Sequence, residues 1–352
     1  MNALNTALQQ QTQNAEISLS LPYQLKAQLP LSSALKQQVA QHRQIIQNIL
    51  AGTDPRLLVI AGPCSIHDPQ AALEYAEKLK QLQSQVSDQI FLVMRAYIEK
   101  PRTTIGWKGF LYDPNLDGSA NMQLGLEKSR ELYLQIIEMG LPIASEILSP
   151  MATGYFDDVL AWGAIGARTS ESQIHREISS AMPYSIGFKN GTDGSIQIAL
   201  DAIQSASHPH QFMGMSQSGL PAILSSQGNP HAHLILRGAN SGPNYHLAEI
   251  EKIQQKAKGQ LPALIFDCSH GNSHKDPQQQ PQVLRTIVAE REQTQVRGIM
   301  LESHLVDGNQ KISCDMTYGQ SVTDGCLGWD KTEQLLIEVA ESLNRQVLAK
   351  TA

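Results

Sequence analysis

The residues Arg56-Leu57-Leu58-Val59-Ile60-Ala61-Gly62 run directly into Pro63-Cys64-Ser65-Ile66-His67-Asp68. An amphipathic stretch, Pro69–Val86, follows. Then comes a second apolar run, Ile90-Phe91-Leu92-Val93-Met94-Arg95-Ala96-Tyr97. Neither run alternates apolar with polar residues. A strand that is apolar on both faces is covered on both faces, as in a parallel sheet flanked by helices. The stretch between the runs is long enough for the crossover helix that a parallel connection requires. The unit reads as β-α-β.

The same texture repeats along the chain. Further runs lie at Pro142–Glu146, Ala164–Arg168, Ser185–Lys189, His233–Arg237, Ala263–Asp267 and Arg297–Glu302. Helical stretches such as Leu124–Met139 and Thr192–Ser205 lie between them. With the first two, the runs make eight strands, the count of a (β/α)8 TIM barrel, an α/β fold. Gln211–Ser216 and Leu220–Ser226 stand outside the repeat and flank Gln217-Ser218-Gly219, which reads as an inserted β-hairpin at about 211–226. A long loop runs from Glu99 to Ala120. Residues 1–20 are rich in Gln, Asn and Thr and read as a flexible arm. Leu31–Leu50 carries a helical pattern through Leu35, Val39, Ile45, Ile46 and Ile49. The expected division is an N-terminal extension, 1–55, and a barrel, 56–352.

Charge narrows the function. The chain has 352 residues, with 27 Lys and Arg against 33 Asp and Glu, a formal charge of −6. Binding a phosphate backbone needs a basic surface, so no nucleic-acid partner is expected. No run of about 18 apolar residues suggests a membrane span. The first lysine is Lys26 and no apolar leader segment precedes it, so the expected location is cytoplasmic. In a reducing compartment Cys64, Cys268, Cys314 and Cys326 read as free thiols or metal ligands rather than disulfides.

Barrel chemistry sits at the C-terminal ends of the strands. Read in order, those ends carry Cys64, Arg95, Glu146, Arg168, Lys189, Arg237, Asp267 with His270, and Glu302. Four of these are cations. Cations gathered at one mouth repel unless anions lie among them, so the implied ligand carries phosphate or carboxylate. Cys64, His270, Glu302 and, farther along, Asp324 make a mixed S/N/O set suited to Fe²⁺, Mn²⁺, Co²⁺ or Zn²⁺. Taken singly, Cys64 also reads as a small buried hydrophobe and His270 as a satisfied loop histidine. Lys100-Pro101-Arg102-Thr103-Thr104, beside the second strand, offers cations and hydroxyls for a second phosphate. There is no Walker A motif and no GxGxxG after a strand, which leaves NTPase and dinucleotide readings without support.

Five segments resemble one family: Gly62-Pro63-Cys64-Ser65-Ile66-His67-Asp68, Glu99-Lys100-Pro101-Arg102-Thr103-Thr104, Gly163-Ala164-Ile165-Gly166-Ala167-Arg168-Thr169, Gly187-Phe188-Lys189-Asn190-Gly191 and Asp267-Cys268-Ser269-His270-Gly271-Asn272. They are similar, in order, to the feedback-regulated type I class of 3-deoxy-D-arabino-heptulosonate 7-phosphate (DAHP) synthase, from about Arg56 to Trp329. The resemblance implies a transferase that condenses phosphoenolpyruvate with erythrose 4-phosphate, releases phosphate and opens the shikimate pathway. It implies one divalent metal ion per subunit, on Cys64, His270, Glu302 and Asp324. It places phosphoenolpyruvate on Arg95, Lys100, Arg168, Lys189 and Arg237, with Glu146 close by, and the aldose phosphate on Arg102 and Thr103. Lys100, His270 and Cys64 are the expected catalytic residues; Lys100 is the candidate proton donor to the aldehyde oxygen, with the alternatives that it only neutralises charge and that a metal-bound water carries the proton. Cys326, two residues from Asp324, is expected to face the pocket of Cys64 and to pair with it on oxidation.

The resemblance also implies a homo-dimer or homo-tetramer. The extension and the hairpin would form a pocket for an aromatic amino acid; Pro150 tilts the choice to tyrosine over phenylalanine or tryptophan. Competing readings are a related phosphoenolpyruvate-dependent synthase acting on arabinose 5-phosphate, a metal-dependent sugar-phosphate aldolase, and a non-catalytic barrel that binds phosphorylated metabolites.

Overall fold

The computed structural model describes residues 17–257 and 261–351. Eight parallel strands close into a barrel: β1 (Leu57–Gly62), β2 (Ile90–Arg95), β3 (Ile143–Glu146), β4 (Trp162–Ile165), β5 (Ser185–Lys189), β8 (His233–Leu236), β9 (Leu264–Asp267) and β10 (Gly298–Glu302). Each pairs with its sequence neighbour in the barrel, and β10 closes on β1. The antiparallel hairpin β6 (Gln211–Met215) and β7 (Pro221–Ser225) interrupts the repeat between β5 and β8. The fold is thus a (β/α)8 barrel with an inserted hairpin, as the apolar runs imply.

Side chains alternate across a strand, so parity sorts the core. Leu58, Ile60, Phe91, Val93, Ala144, Trp162, Ala164, Ile235, Ile265 and Met300 form one buried cluster inside the barrel. Their neighbours Leu57, Val59, Leu92, Ile143, Ile186, Leu234, Phe266 and Leu301 pack outward against the helices in another. The helix Pro69–Val86 shows how one such layer is made. Asp68 accepts hydrogen bonds from the Gln70 and Ala71 amides, and Pro69 opens the first turn. Its buried face is Ala72, Tyr75, Ala76, Leu79, Leu82 and Val86.

The helix Ser33–Ala51 has a different place. Ser32 caps it, accepting from the Leu35 amide, and Gly52 ends it at φ +80°, a conformation that favours glycine. Its Ile46, Ile49 and Leu50 join the interior cluster with Ala161, Trp162 and Phe91, residues at or near strand starts. The helix therefore plugs the N-terminal floor of the barrel and leaves the opposite end open.

Several boundaries differ from the sequence reading. The fourth strand is Trp162–Ile165, not Ala164–Arg168, because Gly166 starts a tight turn that accepts from the Thr169 and Ser170 amides. Arg168 consequently lies in the loop. The second and sixth barrel strands stop at Arg95 and Leu236, short of Tyr97 and Arg237. The helix expected from Thr192 starts at Gln197, since Gly191–Ser195 closes a turn in which Asp193 accepts from the Ser195 amide. Of the expected arm 1–20, residues 1–16 lie outside the described residues. Ser20 is already tied down: its amide donates to Gln123, and its carbonyl accepts from the Tyr155 hydroxyl. Some elements have no counterpart in the sequence reading. One is the helix Pro22–Gln28, and another is a small parallel pair, β11 (Val306–Asn309) with β12 (Gln320–Ser321). Among the described residues no helix is long and apolar enough to cross a membrane.

Candidate active site at the barrel mouth

The interior stripe that is apolar at the floor ends in ions at the mouth. Arg95, Glu146, Lys189, Asp267 and Glu302 are the last residues of their strands, and Arg237 directly follows β8. Arg95, Lys100, Arg102, Thr103, Glu146, Arg168, Lys189, Arg237, His270, Glu302 and Asp324 line a single cavity of about 620 Å³, within the range of small-molecule sites. Cys64, fully buried, lies against its wall.

One side of the cavity gathers donors. Cys64 Sγ and a carboxylate oxygen each of Glu302 and Asp324 lie within 4.8 Å of one another. His270 stands one step off: its Nε2 is 3.9 Å from Glu302 Oε1, while its Nδ1 is 2.9 Å from Asp267 Oδ2. The backbone there is unusual, with His270 at φ +55°, a left-handed conformation that is costly for a residue with a side chain. The Lys100 ammonium lies among the donors, 2.7 Å from Cys64 Sγ and 2.8 Å from Asp324 Oδ2. Burial pushes the Cys64 thiol up to about 11; the Glu302 charge adds to this and Lys100 opposes it. Asp324 goes the other way. Burial would raise it, yet the charge and hydrogen bond of Lys100 hold it well below the usual carboxylate range. A thiol, two carboxylates and an imidazole around a point that already attracts an ammonium fit a divalent transition-metal ion.

The other side gathers cations. Arg95 Nη2 donates to Glu302 Oε1 at 3.0 Å and to the Cys64 carbonyl at 2.8 Å, with its guanidinium 3.8 Å over the Tyr97 ring. Its Nη1, though buried, has no partner among the described residues. Lys189 Nζ donates to Asp267 Oδ2 at 2.7 Å. Arg237, nearly buried, has its pKa lowered by burial and again by the Arg168 guanidinium, against a raising effect of Asp267. Two guanidiniums that repel at the edge of a cavity, beside an unpartnered buried N–H donor, form an anion site. Glu146 adds an unpartnered buried oxygen, Oε1, in contact with the turn at Gly166, where a Cβ would collide with it.

Arg102 and Thr103 lie on the exposed loop over the mouth. All the residues singled out from the sequence therefore share one site, with His270 at the edge of the donor group. Cys326 is beside Cys64, its Sγ accepting from the Cys64 amide at 3.4 Å, and both thiols are free. Sequence reasoning missed Lys275. It lines the cavity at φ +64° and makes no ion pair among the described residues, but its only sequence signal is position, five residues after His270. The double engagement of Asp267 was also invisible, since Asp267 read only as one more strand end.

The chain is similar to proteins of one family along most of its length. Residues 31–337 match the model of the DAHP synthetase I family. A Tyr-sensitive phospho-2-dehydro-3-deoxyheptonate aldolase of Salmonella typhimurium is 48% identical over 341 residues, 95% of this chain and 96% of that protein. A Trp-sensitive counterpart from Enterobacter agglomerans is 45% identical over 336 residues, 94% of this chain and 96% of its own length. A solved phospho-2-dehydro-3-deoxyheptonate aldolase from Francisella tularensis superposes with a TM-score of 0.91 at 44% identity, covering 94% of this chain and 98% of that one.

Proposed function

The chain belongs to the DAHP synthetase I family, and on that premise we propose how the groups at its mouth divide the family's work. The reaction condenses phosphoenolpyruvate with erythrose 4-phosphate to DAHP and phosphate. The observation that carries the assignment of roles is the meeting of a cation cluster and the Cys64, Glu302 and Asp324 donors in one cavity.

Both substrates are anions, so their approach is opposed until positive groups offset it. Arg168, Lys189 and Arg237, with the free Nη1 of Arg95, hold the phosphate and carboxylate of phosphoenolpyruvate and fix its plane. Arg102 and Thr103 hold the phosphate of the aldose. When bound at Cys64, His270, Glu302 and Asp324, a divalent cation supplies a Lewis acid for the aldehyde oxygen. C3 of phosphoenolpyruvate bonds to C1 of the aldose, and Lys100, deep in the mouth, gives a proton to the aldehyde oxygen as its charge develops. Water adds at C2; the C2–O bond to phosphate then breaks as the carbonyl forms.

The same reading includes control by an aromatic amino acid, with tyrosine as the effector. Supporting it, the helix Thr153–Phe156, the hairpin and the helix Pro22–Gln28 meet where Pro22 and Met215 approach Gly154. Glu99, the residue before Lys100, accepts from the Ser149 amide and so ties that region to the mouth. Met213 and Ile223 on the hairpin are 87% and 80% exposed, which supports burial of this face in a homo-dimer or homo-tetramer. Free thiols at Cys64 and Cys326 suit a reducing cytoplasm.

The test is a phosphate-release assay with both substrates. Release is expected with erythrose 4-phosphate, to fall sharply with arabinose 5-phosphate, to stop on chelation, to return with Mn²⁺ or Co²⁺, and to be inhibited by tyrosine more than by phenylalanine or tryptophan. Condensation without release of phosphate would turn the assignment to a simple aldolase. Full activity in verified metal-free protein would remove the cation from it.

A further inference from the structure

Asp267 is fully buried at the end of β9, and its two oxygens have different duties. Oδ1 is held locally by the Ser269 amide at 3.0 Å and the Ser269 hydroxyl at 2.8 Å. Oδ2 is shared between distant parts of the site. It accepts from Lys189 Nζ at 2.7 Å and lies 2.9 Å from His270 Nδ1, a nitrogen that Ser269 Oγ also approaches at 2.6 Å, so Oδ2 and the Ser269 hydroxyl compete for the Nδ1 proton. Lys189 belongs to the anion side and His270 to the donor side, so this one oxygen touches a member of each.

We infer that Asp267 is a positioning residue that couples the two halves of the site, so that binding of phosphoenolpyruvate and binding of the divalent metal reinforce each other. The inference rests on the roles proposed above for Lys189 and His270. Its logic is competition for one oxygen. In the free site the Lys189 ammonium draws on the charge of Oδ2. When a substrate phosphate takes up Lys189, Oδ2 is released to His270. A stronger hydrogen bond from Nδ1–H keeps the proton on that nitrogen, leaves Nε2 with its lone pair toward Glu302, and makes the ring a better ligand. Coupling of this kind is reciprocal: if phosphoenolpyruvate tightens the metal, the metal tightens phosphoenolpyruvate by the same factor.

The experiment uses full-length protein and two titrations, neither of which measures turnover. Co²⁺ binding is followed by its visible absorption with and without saturating phosphoenolpyruvate. Phosphoenolpyruvate binding is followed calorimetrically with and without Co²⁺. In the wild type each ligand is expected to tighten the other by about tenfold. In Asp267→Asn both ligands still bind, more weakly, and the factor falls to about one. A purely structural role would weaken both ligands and leave the factor intact, so an unchanged factor in Asp267→Asn overturns the inference, as does a factor of one in the wild type. If wild-type protein bound neither ligand, the site assignment itself would fall instead.

A measurement on the unaltered protein stands if the variant does not fold. In metal-free protein labelled with ¹⁵N-histidine, the Nδ1 resonance of His270 is expected to move on addition of phosphoenolpyruvate. An unmoved Nδ1 overturns the inference.

Discussion

The two ends of the barrel are built from the same strands by opposite rules. At the floor, Trp162 and His233 are the first residues of β4 and β8, and the Trp162 indole N–H donates to His233 Nε2 at 3.1 Å. Ile46, Ile49 and Leu50 of the helix Ser33–Ala51 belong to the same buried cluster as Trp162. At the mouth the same inward stripe ends in Arg95, Glu146, Lys189, Asp267 and Glu302. The floor is closed and mostly apolar, with the rings of His42 and His233 held neutral by burial; the mouth is charged, and several of its buried groups lack partners. A few residues along each strand therefore separate what holds the barrel together from what it does. Buried groups without partners cost stability, so the mouth is stable only because the floor offsets that cost.

The sharpest way to break this contrast is to change one end and watch the other. Lys100→Met removes the proton donor and the ammonium beside Cys64 and Asp324. We expect kcat to fall by about a thousandfold, in the range of general acid catalysis, while metal content by elemental analysis and the melting temperature stay near wild type. Near-normal kcat would remove Lys100 from the mechanism. Loss of the metal together with activity would make its role one of assembly.

The converse experiment is Trp162→Ala. Trp162 is fully buried, and its loss leaves a cavity between the plug helix and the strands. We expect a loss of about 3–5 kcal/mol in urea unfolding, with kcat and KM of the folded protein unchanged at low temperature. A folded variant with a large fall in kcat would show that floor and mouth are one mechanical unit and would end the comparison as drawn.

How much of this division is written in the sequence depends on the end. The mouth was legible because each ionic residue directly follows an apolar run that admits no other surface position. Arg95, Lys189 and Glu302 follow from that alone. Arg168 reads as the end of the run Ala164–Arg168, although the strand stops at Ile165 and Arg168 lies in the loop; Asp324, also in a loop, joins the donors by residue type and by resemblance rather than by any run before it. The floor was far less legible. Around Val159–Ala167 every window reads apolar, so composition could not fix the register, and the expected strand lay two residues late. That the helix at 33–51 plugs the barrel is likewise a tertiary fact, because its apolar stripe would suit any buried partner. The helix Pro22–Gln28 escaped because its buried residues are only Pro22 and Leu25, too few to show a period.

Acid offers the finest test, because the histidines of the floor and the paired carboxylates of the mouth titrate in different windows. At the floor, burial lowers His233 from 6.5 to about 4 and His42 to about 4. His233 is held neutral by its bonds, with Nε2 accepting from Trp162 and Nδ1 facing the His231 carbonyl at 2.9 Å. Below pH 6.5 the unfolded chain binds these protons and the folded one does not, so stability falls as pH drops from 6.5 toward 4. For His233 the full loss is about 3 kcal/mol. At the mouth, Asp267 and Asp324 lie below the usual carboxylate range, so the stability they contribute is lost only on acidification below about pH 4. Glu99, raised by burial to about 7, works against the histidines: the folded state takes its proton first, and stability rises as pH falls from 7 toward 4.5. The prediction is that His233→Gln, which can still accept from Trp162, flattens the decline in urea midpoint between pH 6.5 and 4.5. It should recover about 2 kcal/mol of the wild-type loss while leaving the steeper fall below pH 4 in place. If that steeper fall were flattened instead, the floor histidine would be coupled to the mouth carboxylates, and the two ends would not be separate electrostatic regions.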